Sequence, residues 1–185
     1  MILDIREARL VDAKALARVE VESWRDTYPT LLPKSYLAKT LRVGRNRAGW
    51  RRRLSESGTG ESTIVIVPRR APERVLGYAT YGPTRNKALP FVGEVYAIYL
   101  LPDYIGQGLG RRLLTAVARR CINGGISSIC VEVLERNPNR FFYEAMGAKL
   151  AAHKTHWFGG ANLPTLVYGW ADVSLLVRER AEDTP

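Results

Sequence analysis

Three glycines alternate with other residues where a predicted helix begins, and this spacing suits phosphate binding. Gly106, Gly108 and Gly110 lie in the run Ile-Gly-Gln-Gly-Leu-Gly-Arg at 105–111. Glycine lets a backbone approach a phosphate and turn successive amides toward it, and the positive end of the helix adds to the attraction. The turn is therefore the first candidate for function, as an anion-binding site.

Two familiar phosphate-binding patterns do not match this turn. A mononucleotide P-loop needs Gly-x4-Gly-Lys-Ser/Thr, and neither lysine nor a hydroxyl residue follows Gly110. A dinucleotide fold needs Gly-x-Gly-x-x-Gly, and Arg111 stands where the third glycine belongs. A tight loop without a ligand accounts for one or two of the glycines but not for three. The spacing alone thus supports anion binding at a helix start and nothing more specific.

Hydrophobic periodicity predicts the elements that must position the turn. Strands are predicted at residues 3–8, 62–67, 74–82, 91–101, 126–134, 149–157 and 163–176. Helices are predicted at 11–24, near 36–41, at 45–57 and at 108–121. A further short helix is predicted with Asn137 as its cap, Pro138 at its first position and Gly147 as its end. The succession of strand, helix and strand across 91–134 implies a right-handed parallel crossover at the centre of the protein.

Length and composition indicate one globular domain. The chain has 185 residues, of which 46% are hydrophobic and 25% charged, and this is ordinary globular composition. We predict a single domain over residues 1–180 and a frayed tail at 181–185. The start of the chain lacks the apolar run of a signal peptide and no stretch reaches membrane-spanning length, so a cytoplasmic location is expected.

The other residues with charged or reactive side chains are predicted to have structural roles. The net charge of +10 favours anionic partners without choosing among them, and the basic helix at 45–53 contains only Trp50 as an aromatic. Cys121 and Cys130 are predicted to be reduced core residues. His153 and His156 are predicted to lie on a strand surface, because no cysteine or carboxylate stands at metal-ligand spacing from them. No metal is expected.

Two blocks of the chain resemble the GCN5-related N-acetyltransferases (GNAT). The run at 95–114, VYAIYLLPDYIGQGLGRRLL, is similar to that family's strand, pyrophosphate loop and helix. The run at 133–148, VLERNPNRFFYEAMGA, is similar to its next strand and short helix. The resemblance implies an α/β (α+β) fold with a mixed, mostly antiparallel central sheet of six to seven strands. It also implies flanking helices and a splayed parallel strand pair that holds the cofactor.

The resemblance implies acetyl-CoA as the cofactor and coenzyme A as the product. The pantetheine arm is expected to pair with one strand and the pyrophosphate to lie in the glycine turn, with two further contacts from the short helix region. These cofactor-binding residues are Ile98, Tyr99, Leu100, Ile105, Gly106, Gln107, Gly108, Leu109, Gly110, Arg111, Asn137 and Phe142. The family's loop usually starts with arginine or glutamine where this chain has Ile105, so the backbone amides are expected to carry the binding.

The same resemblance implies the residues for transfer. Tyr143 matches the family's tyrosine and is expected to protonate the departing thiolate, although a core aromatic is the alternative from the residues alone. Glu94 is a candidate general base, with a solvated strand-end carboxylate as the alternative. Simple alternation places it on one strand face with Tyr96, Ile98 and Leu100. Trp24 and Tyr28 are candidates for acceptor binding, or else core or lid aromatics.

The function that follows is acetyl transfer to a primary amine, expected to belong to a small molecule, through a ternary complex. The alternatives are a protein N-terminus or lysine as acceptor, a non-catalytic acyl-CoA-binding domain, and nucleic-acid binding through the basic helix. No membrane partner and no specific nucleic acid are expected. The identity of the amine and a homodimeric state are left open by the sequence.

Overall fold

A computed structural model describes residues 1–56 and 58–178 as one mixed sheet with helices on both faces. The strands are β1 (Leu3–Glu7), β2 (Ser62–Pro68), β3 (Gly77–Pro83), β4 (Gly93–Leu100), β5 (Ile129–Leu134), β6 (Lys149–Phe158) and β7 (Ala161–Trp170). The helices are α1 (Ala13–Thr27), α2 (Lys34–Thr40), α3 (Val43–Ser55), α4 (Leu109–Asn123) and α5 (Arg140–Ala145). The predicted end of the third helix at Ser57 and the predicted tail at 181–185 lie outside the described residues.

The seven strands run in the order β1-β2-β3-β4-β5-β7-β6. Every neighbouring pair is antiparallel except β4 and β5, which α4 connects as a parallel crossover. The mixed, mostly antiparallel sheet predicted from the sequence is therefore confirmed. Its parallel pair lies at the centre, where the glycine turn leads from β4 into α4.

The parallel pair opens like a wedge. Strands β4 and β5 are paired only from Gly93 to Val95 of β4, and the rest of β4 separates from β5. Since β3 stays paired with β4 throughout, one edge of β4 alone is left without a strand partner. The gap between the two strands is the feature around which the site forms.

A β-bulge in β4 changes which side chains share a face. Thr80 of β3 lies opposite Ala97, whereas Tyr81 lies opposite Val95, so Tyr96 is an extra residue in β4. Val95 therefore joins the hydrophobic core beneath α4, and Glu94 shares the face of Ala97. The predicted alternation of Glu94, Tyr96, Ile98 and Leu100 on one face is wrong, because the bulge shifts the alternation by one residue.

Two hydrophobic cores hold the sheet between its helices. The apolar face of α4, which includes Leu113, Leu114 and Val117, packs on one face of the sheet against side chains of β5 and β7. The apolar face of α1, including Leu16 and Val19, packs on the other face with α3. Both free cysteines are buried, in agreement with the core role predicted for them.

A buried ion pair fixes the start of α1 against β1. The Asp12 carboxylate accepts hydrogen bonds from Arg6 at 2.7 and 2.9 Å and from the Arg9 amide at 2.7 Å, and Asp12 is 2% exposed. Burial opposes ionisation, but these bonds outweigh it and hold the pKa of Asp12 below its ordinary value. The entry of the chain into α1, which carries Trp24 and Tyr28, is thereby set.

We expect Asp12→Asn to lower the free energy of unfolding by about 3 kcal/mol near neutral pH, because it removes a buried carboxylate and leaves the partly exposed Arg6 without its counter-charge. A depressed carboxyl pKa stabilises the fold above the unfolded pKa of 3.8 and ceases to do so as pH falls through the folded pKa. The difference between variant and parent in urea unfolding should therefore shrink below about pH 4. Asp4→Asn is the control, since its pair with Arg69 is exposed and the destabilisation should be much smaller. An equal loss in both variants would contradict the assignment.

Several element boundaries differ from the prediction by a few residues, and two of the differences have a side-chain cause. Helix α5 begins at Arg140, so Asn137 and Pro138 precede it; the Asn137 side chain accepts from the Asn139 amide at 2.9 Å and forms a turn instead of a helix cap. Strand β7 ends at Trp170 and not at residue 176. The Asp172 side chain accepts from the Ser174 amide and begins a short 3-10 turn there.

Candidate active site

Two cavities meet at the gap between β4 and β5. One, of about 380 Å³, lies against the glycine turn and α5, and we call it the donor cavity. The other, of about 580 Å³, lies between α1, the exposed face of β5 and the β6–β7 hairpin, and we call it the acceptor cavity. The residues that line both are Thr27, Ile98, Tyr99, Asn139 and Tyr143.

The unpaired edge of β4 offers backbone groups to the donor cavity. Tyr99 lies opposite Tyr78 and Leu101 donates to Leu76 across the β3 side, so these residues direct their backbone groups to β3. Alternate residues use opposite edges, and hence Ile98 and Leu100 direct N–H and C=O into the gap. The hydroxyl of the buried Ser23 donates to the Leu100 carbonyl. Among the three residues predicted on this strand, Tyr99 therefore lines the cavity with its side chain, whereas Ile98 and Leu100 present backbone groups to it.

The glycine turn has the conformation that its sequence predicts. Gly106 and Gly108 have φ values of 79° and 75°, which a side chain would strain. Gly108 immediately precedes α4, and the first intrahelical bond runs from the Arg112 amide to the Gly108 carbonyl. The amides before Arg112 therefore lack helical acceptors and are directed outward at the positive end of the helix.

Most predicted turn residues line the donor cavity, and two do not. Ile105, Gly106, Gly108, Gly110 and Arg111 line it. Leu109 is buried in the core beneath α4, and the Gln107 side chain donates to the Asp103 carbonyl at 2.7 Å. Side-chain contact by Leu109 and Gln107 is therefore not supported, because each side chain is engaged elsewhere, and only their backbone amides are available to a ligand.

Helix α5 forms the opposite wall of the donor cavity. Phe142 lines it as predicted, and its ring lies 3.4 Å from where a Cβ on Gly110 would stand. Helix α5 thus packs on the start of α4, at a distance where even a Cβ would make only van der Waals contact with Phe142. This contact places the next residue, Tyr143, at the junction of the cavities.

Tyr143 lines both cavities and is 8% exposed. Its ring packs edge-on against Phe142 at 5.3 Å and Trp170 at 6.4 Å. Burial, with a smaller contribution from nearby Tyr28, raises the pKa of the Tyr143 phenol above its ordinary value of 10.0. The side chain is therefore a rigidly held neutral phenol that reaches both cavities.

The predicted acceptor aromatics lie together on the wall that α1 contributes. Trp24 and Tyr28 line the acceptor cavity with ring centroids 4.8 Å apart, and Trp24 also approaches Tyr99 at 6.4 Å. Burial raises the pKa of Tyr28, partly opposed by hydrogen bonding of its hydroxyl with Tyr99 and Asn137. Asn137, predicted to contact the cofactor, lies on this wall and not in the donor cavity.

Glu94 lines the acceptor cavity but is already bonded. Its Oε2 accepts from the Arg85 amide at 2.9 Å, and its Oε1 accepts from Nε at 3.1 Å and from Nη2 of the same arginine. The Arg85 guanidinium also lies over the Tyr96 ring, 4.4 Å from its centroid. The bulge places Glu94 at the acceptor cavity, where its role as a general base stays a prediction.

A second carboxylate in the same cavity was missed by sequence reasoning. Glu132 of β5 contacts Lys154 and His156 of β6 and Thr165 of β7, and all four line the acceptor cavity. Its signal in the sequence was a single acidic residue within the otherwise apolar strand Ile129–Leu134. The placement of His156 in this cavity goes beyond the surface role predicted for it.

The turn between β6 and β7 packs against α2 at the border of the acceptor cavity, and we call this contact the roof. Phe158 lines the cavity and meets Tyr36 of α2 edge-on at 5.8 Å. A Cβ on Gly159 would lie 2.5 Å from the Tyr36 ring, so the hairpin approaches α2 closely only because glycine stands there. Helix α2 and the hairpin thus meet next to Phe158, at the border of the cavity.

The basic helix α3 offers no stacking aromatic. Trp50 is buried, its indole donates to Glu20 at 3.1 Å, and the Arg53 guanidinium lies 4.7 Å from the centre of its ring. The only aromatic of the predicted nucleic-acid surface therefore belongs to the packing of α3 on α1. None of the described helices is long and apolar enough to cross a membrane.

Known proteins share both the sequence blocks and the fold. The family model described as "Acetyltransferase (GNAT) family" matches residues 19–148. The uncharacterized N-acetyltransferase YuaI of Bacillus subtilis is 35% identical over 175 residues, 95% of this chain and 96% of that protein. The spermidine N(1)-acetyltransferase of Thermoplasma acidophilum is 26% identical over 153 residues, 81% of this chain and 90% of that protein.

The fold is also found among solved structures. The structure of YncA from Salmonella typhimurium with its cofactor acetyl-CoA has a TM-score of 0.66 and 18% identity. The alignment covers 100% of this chain and 99% of that one. At this identity the likeness concerns the fold, including the seven-stranded sheet with its parallel central pair.

Proposed function

Since the chain belongs to the GNAT family of acetyltransferases, we propose that it moves an acetyl group from acetyl-CoA to the primary amine of a small molecule. Transfer is direct, with both substrates bound at once in the two cavities that meet at Tyr143. Neither Cys121 nor Cys130 lines either cavity, and both are buried, so the two thiols of the chain are not placed to carry the acetyl group.

The donor cavity has the chemistry that acetyl-CoA requires. Backbone groups of Ile98 and Leu100 are available to an extended amide-containing arm, as in recognition at a strand edge. The amides of the turn around Gly106 and Gly108, at the positive end of α4, suit a pyrophosphate. Because amides supply this site, Ile105 in place of the usual arginine or glutamine is compatible with binding. Bound acetyl-CoA supplies the acetyl group as a thioester whose departing sulfur needs a proton.

Tyr143 supplies that proton in the proposed mechanism. Its phenol reaches both cavities and remains protonated at physiological pH, because burial raises its pKa. A neutral donor held at the departing sulfur avoids the release of a free thiolate. The aromatic packing around Tyr143 keeps the hydroxyl in place without a separate positioning group.

The size of the acceptor cavity is the observation that carries the choice of a small molecule. The cavity has a volume of about 580 Å³, which falls within the range of small-ligand pockets, and the contact between Tyr36 and Gly159 borders it next to Phe158. A peptide acceptor needs an open groove for the chain on either side of its reactive amine. Trp24 and Tyr28 on the α1 wall suit the alkyl part of an amine. Glu94 and Glu132 add two carboxylates to the cavity, each paired with a cation, Arg85 and Lys154.

We expect a panel of small primary amines, including alkyl diamines and polyamines, to release thiol from acetyl-CoA at least about tenfold more efficiently than peptides. Peptides with a free N-terminus or an internal lysine form the second arm, and kcat/KM is the measurement. Faster acetylation of a peptide would contradict the small-molecule assignment. Calorimetric binding of acetyl-CoA without thiol release for any amine would favour the non-catalytic alternative.

Two neighbouring glycines provide a test of the roof within the same panel. Gly159→Ala should displace Tyr36 and raise KM for the preferred amine, because its Cβ would stand 2.5 Å from that ring. Gly160→Ala is the matched control, since Gly160 also has positive φ but has no atom within 4 Å of the added Cβ. Equal effects of the two variants would mean that the roof does not define the cavity.

A further inference from the structure

Glu132 is the centre of a hydrogen-bonded cluster on the far wall of the acceptor cavity. Its Oε2 accepts from Lys154 Nζ at 2.6 Å. Its Oε1 accepts from Thr165 Oγ1 at 2.9 Å and lies 3.2 Å from His156 Nδ1. Side chains from three strands thus meet at one carboxylate. Among them, the His156 imidazole is the group that can accept a proton from the acceptor and is also exposed, at 56%.

The contacts of Glu132 define the state of the His156 ring. Burial opposes ionisation of Glu132, but the bonds from Lys154 and Thr165 outweigh it and hold the pKa of its carboxyl below the ordinary value. An ionised carboxylate can only accept hydrogen bonds, so neutral His156 must carry its proton on Nδ1. Its Nε2 then has a free lone pair, and no partner for this atom is found within residues 1–56 and 58–178.

We propose that His156 is the general base of the reaction and that Glu132 is its positioning residue. This rests on the assignment of the cavity to the acceptor amine made above. The acceptor enters as an ammonium ion, and Nε2 of His156 takes one proton from its nitrogen. The N–H bond breaks, its electron pair stays on the amine as the lone pair that attacks the thioester carbon, and the imidazolium formed is stabilised by Glu132. As the C–N bond forms and the C–S bond breaks, Tyr143 gives its proton to the departing sulfur, and the second amine proton restores the Tyr143 phenol. The products are the amide, the thiol of coenzyme A and one proton held by His156.

The other carboxylate of the cavity is less suited to this task. Both oxygens of Glu94 are hydrogen-bonded to Arg85, and its side chain is only 6% exposed. Its oxygens are therefore already engaged, whereas Nε2 of His156 has no partner among the described residues. Glu94 and Arg85 form an ion pair that lines the same cavity as His156.

The charged groups around His156 come from each neighbouring strand. Glu132 faces it from β5 and Lys154 from its own strand, while β7 contributes the uncharged Thr165. Arg85 and Glu94 lie across the same cavity. The ring of Phe158 stands 5.2 Å from the imidazole and restricts its rotation. The immediate environment of His156 is therefore the Glu132 carboxylate in direct contact and Lys154, whose charge is paired with that carboxylate.

The test is the pH dependence of kcat/KM for the preferred amine in His156→Gln. We expect kcat/KM to fall about 100-fold near neutral pH. The pH at which kcat/KM rises should move toward the pH at which the free amine loses its own proton. Affinity for acetyl-CoA, measured by calorimetry, should be unchanged. His153→Gln is the matched control, because His153 lies on the same strand but lines a separate cavity with Tyr168; its profile should match that of the parent.

A second measurement requires no turnover. Nitrogen chemical shifts in NMR should show the Nδ1-protonated tautomer of His156 in the parent and a loss of that preference in Glu132→Gln. The proposal would be overturned if His156→Gln kept the parent pH profile, or if only Glu94→Gln lost the rise of kcat/KM with pH. Either result would leave the acetyltransferase function standing. If peptides prove to be the better acceptors, the same series run with a peptide tests the base separately from the small-molecule assignment.

Discussion

Tyr143→Phe is expected to lower kcat by about 100-fold, the usual contribution of a positioned proton donor. The phenyl ring keeps the packing against Phe142 and Trp170, so the change removes only the hydroxyl that both cavities share. The dissociation constant of acetyl-CoA should remain near that of the parent. Steady-state kinetics with the preferred amine, together with calorimetry, measure the two quantities.

Tyr81→Phe is the control for this variant. Tyr81 is also a buried tyrosine, but it belongs to the core beneath α4 and lines neither cavity. Removal of the Tyr81 hydroxyl should leave kcat unchanged. If Tyr143→Phe instead lowered kcat, cofactor affinity and the melting temperature together, the tyrosine would be a structural residue and not the acid.

Gly108→Glu should weaken acetyl-CoA binding by roughly 100-fold, or about 2.7 kcal/mol. The new carboxylate would stand at the start of α4, where the proposed pyrophosphate lies, and would repel it while adding bulk. The substitution also strains a backbone with φ of 75°. Calorimetric titration with coenzyme A measures the affinity, and unchanged affinity would refute the assignment of the turn.

The chain contains a matched control for the strain. Gly125, just beyond the other end of α4, has φ of 76°, and like Gly108 it has no atom within 4 Å of an added Cβ. Gly125→Glu therefore introduces the same side chain into the same backbone conformation. It should lower the melting temperature in a similar way and leave coenzyme A affinity intact, which separates backbone strain from repulsion of the ligand.

Local patterns in the sequence were sufficient to predict the conformation of the glycine turn. Glycine spacing and the succession of strand, turn and helix depend on neighbouring residues, and the structure has Gly106 and Gly108 at positive φ before α4 as that pattern requires. The central crossover followed from the same local periodicity. Backbone conformation in such a segment is decided by steric preferences that a short stretch of sequence contains.

The errors arose where a single residue shifts a local pattern. The bulge at Tyr96 depends on the register with β3 and reverses the face on which Glu94 lies. The start of α5 moved because the Asn137 side chain satisfies the Asn139 amide in a turn. Both events are choices between competing hydrogen bonds of similar strength, which residue preferences alone do not decide.

The acceptor side could not be predicted for a different reason. Its wall combines Glu132 of β5 with His156 of β6 and Thr165 of β7, residues separated by 24 and 9 positions from His156 along the chain. Neither histidine had a ligand or partner within local spacing, and so both were read as surface residues. Only the order β5-β7-β6 brings these side chains together.

The two cavities differ in what they are made of. In the proposed mode of binding, the donor cavity holds acetyl-CoA through backbone groups of Ile98 and Leu100 and through the amides of the glycine turn, which side-chain substitutions leave in place. The acceptor cavity is built from side chains on α1 and on β5, β6 and β7. Substitutions in that wall can change the preferred amine while the use of acetyl-CoA is retained. Substrate range in this architecture can therefore diverge between descendants, or be redirected by mutagenesis, without rebuilding the half of the site that handles the donor.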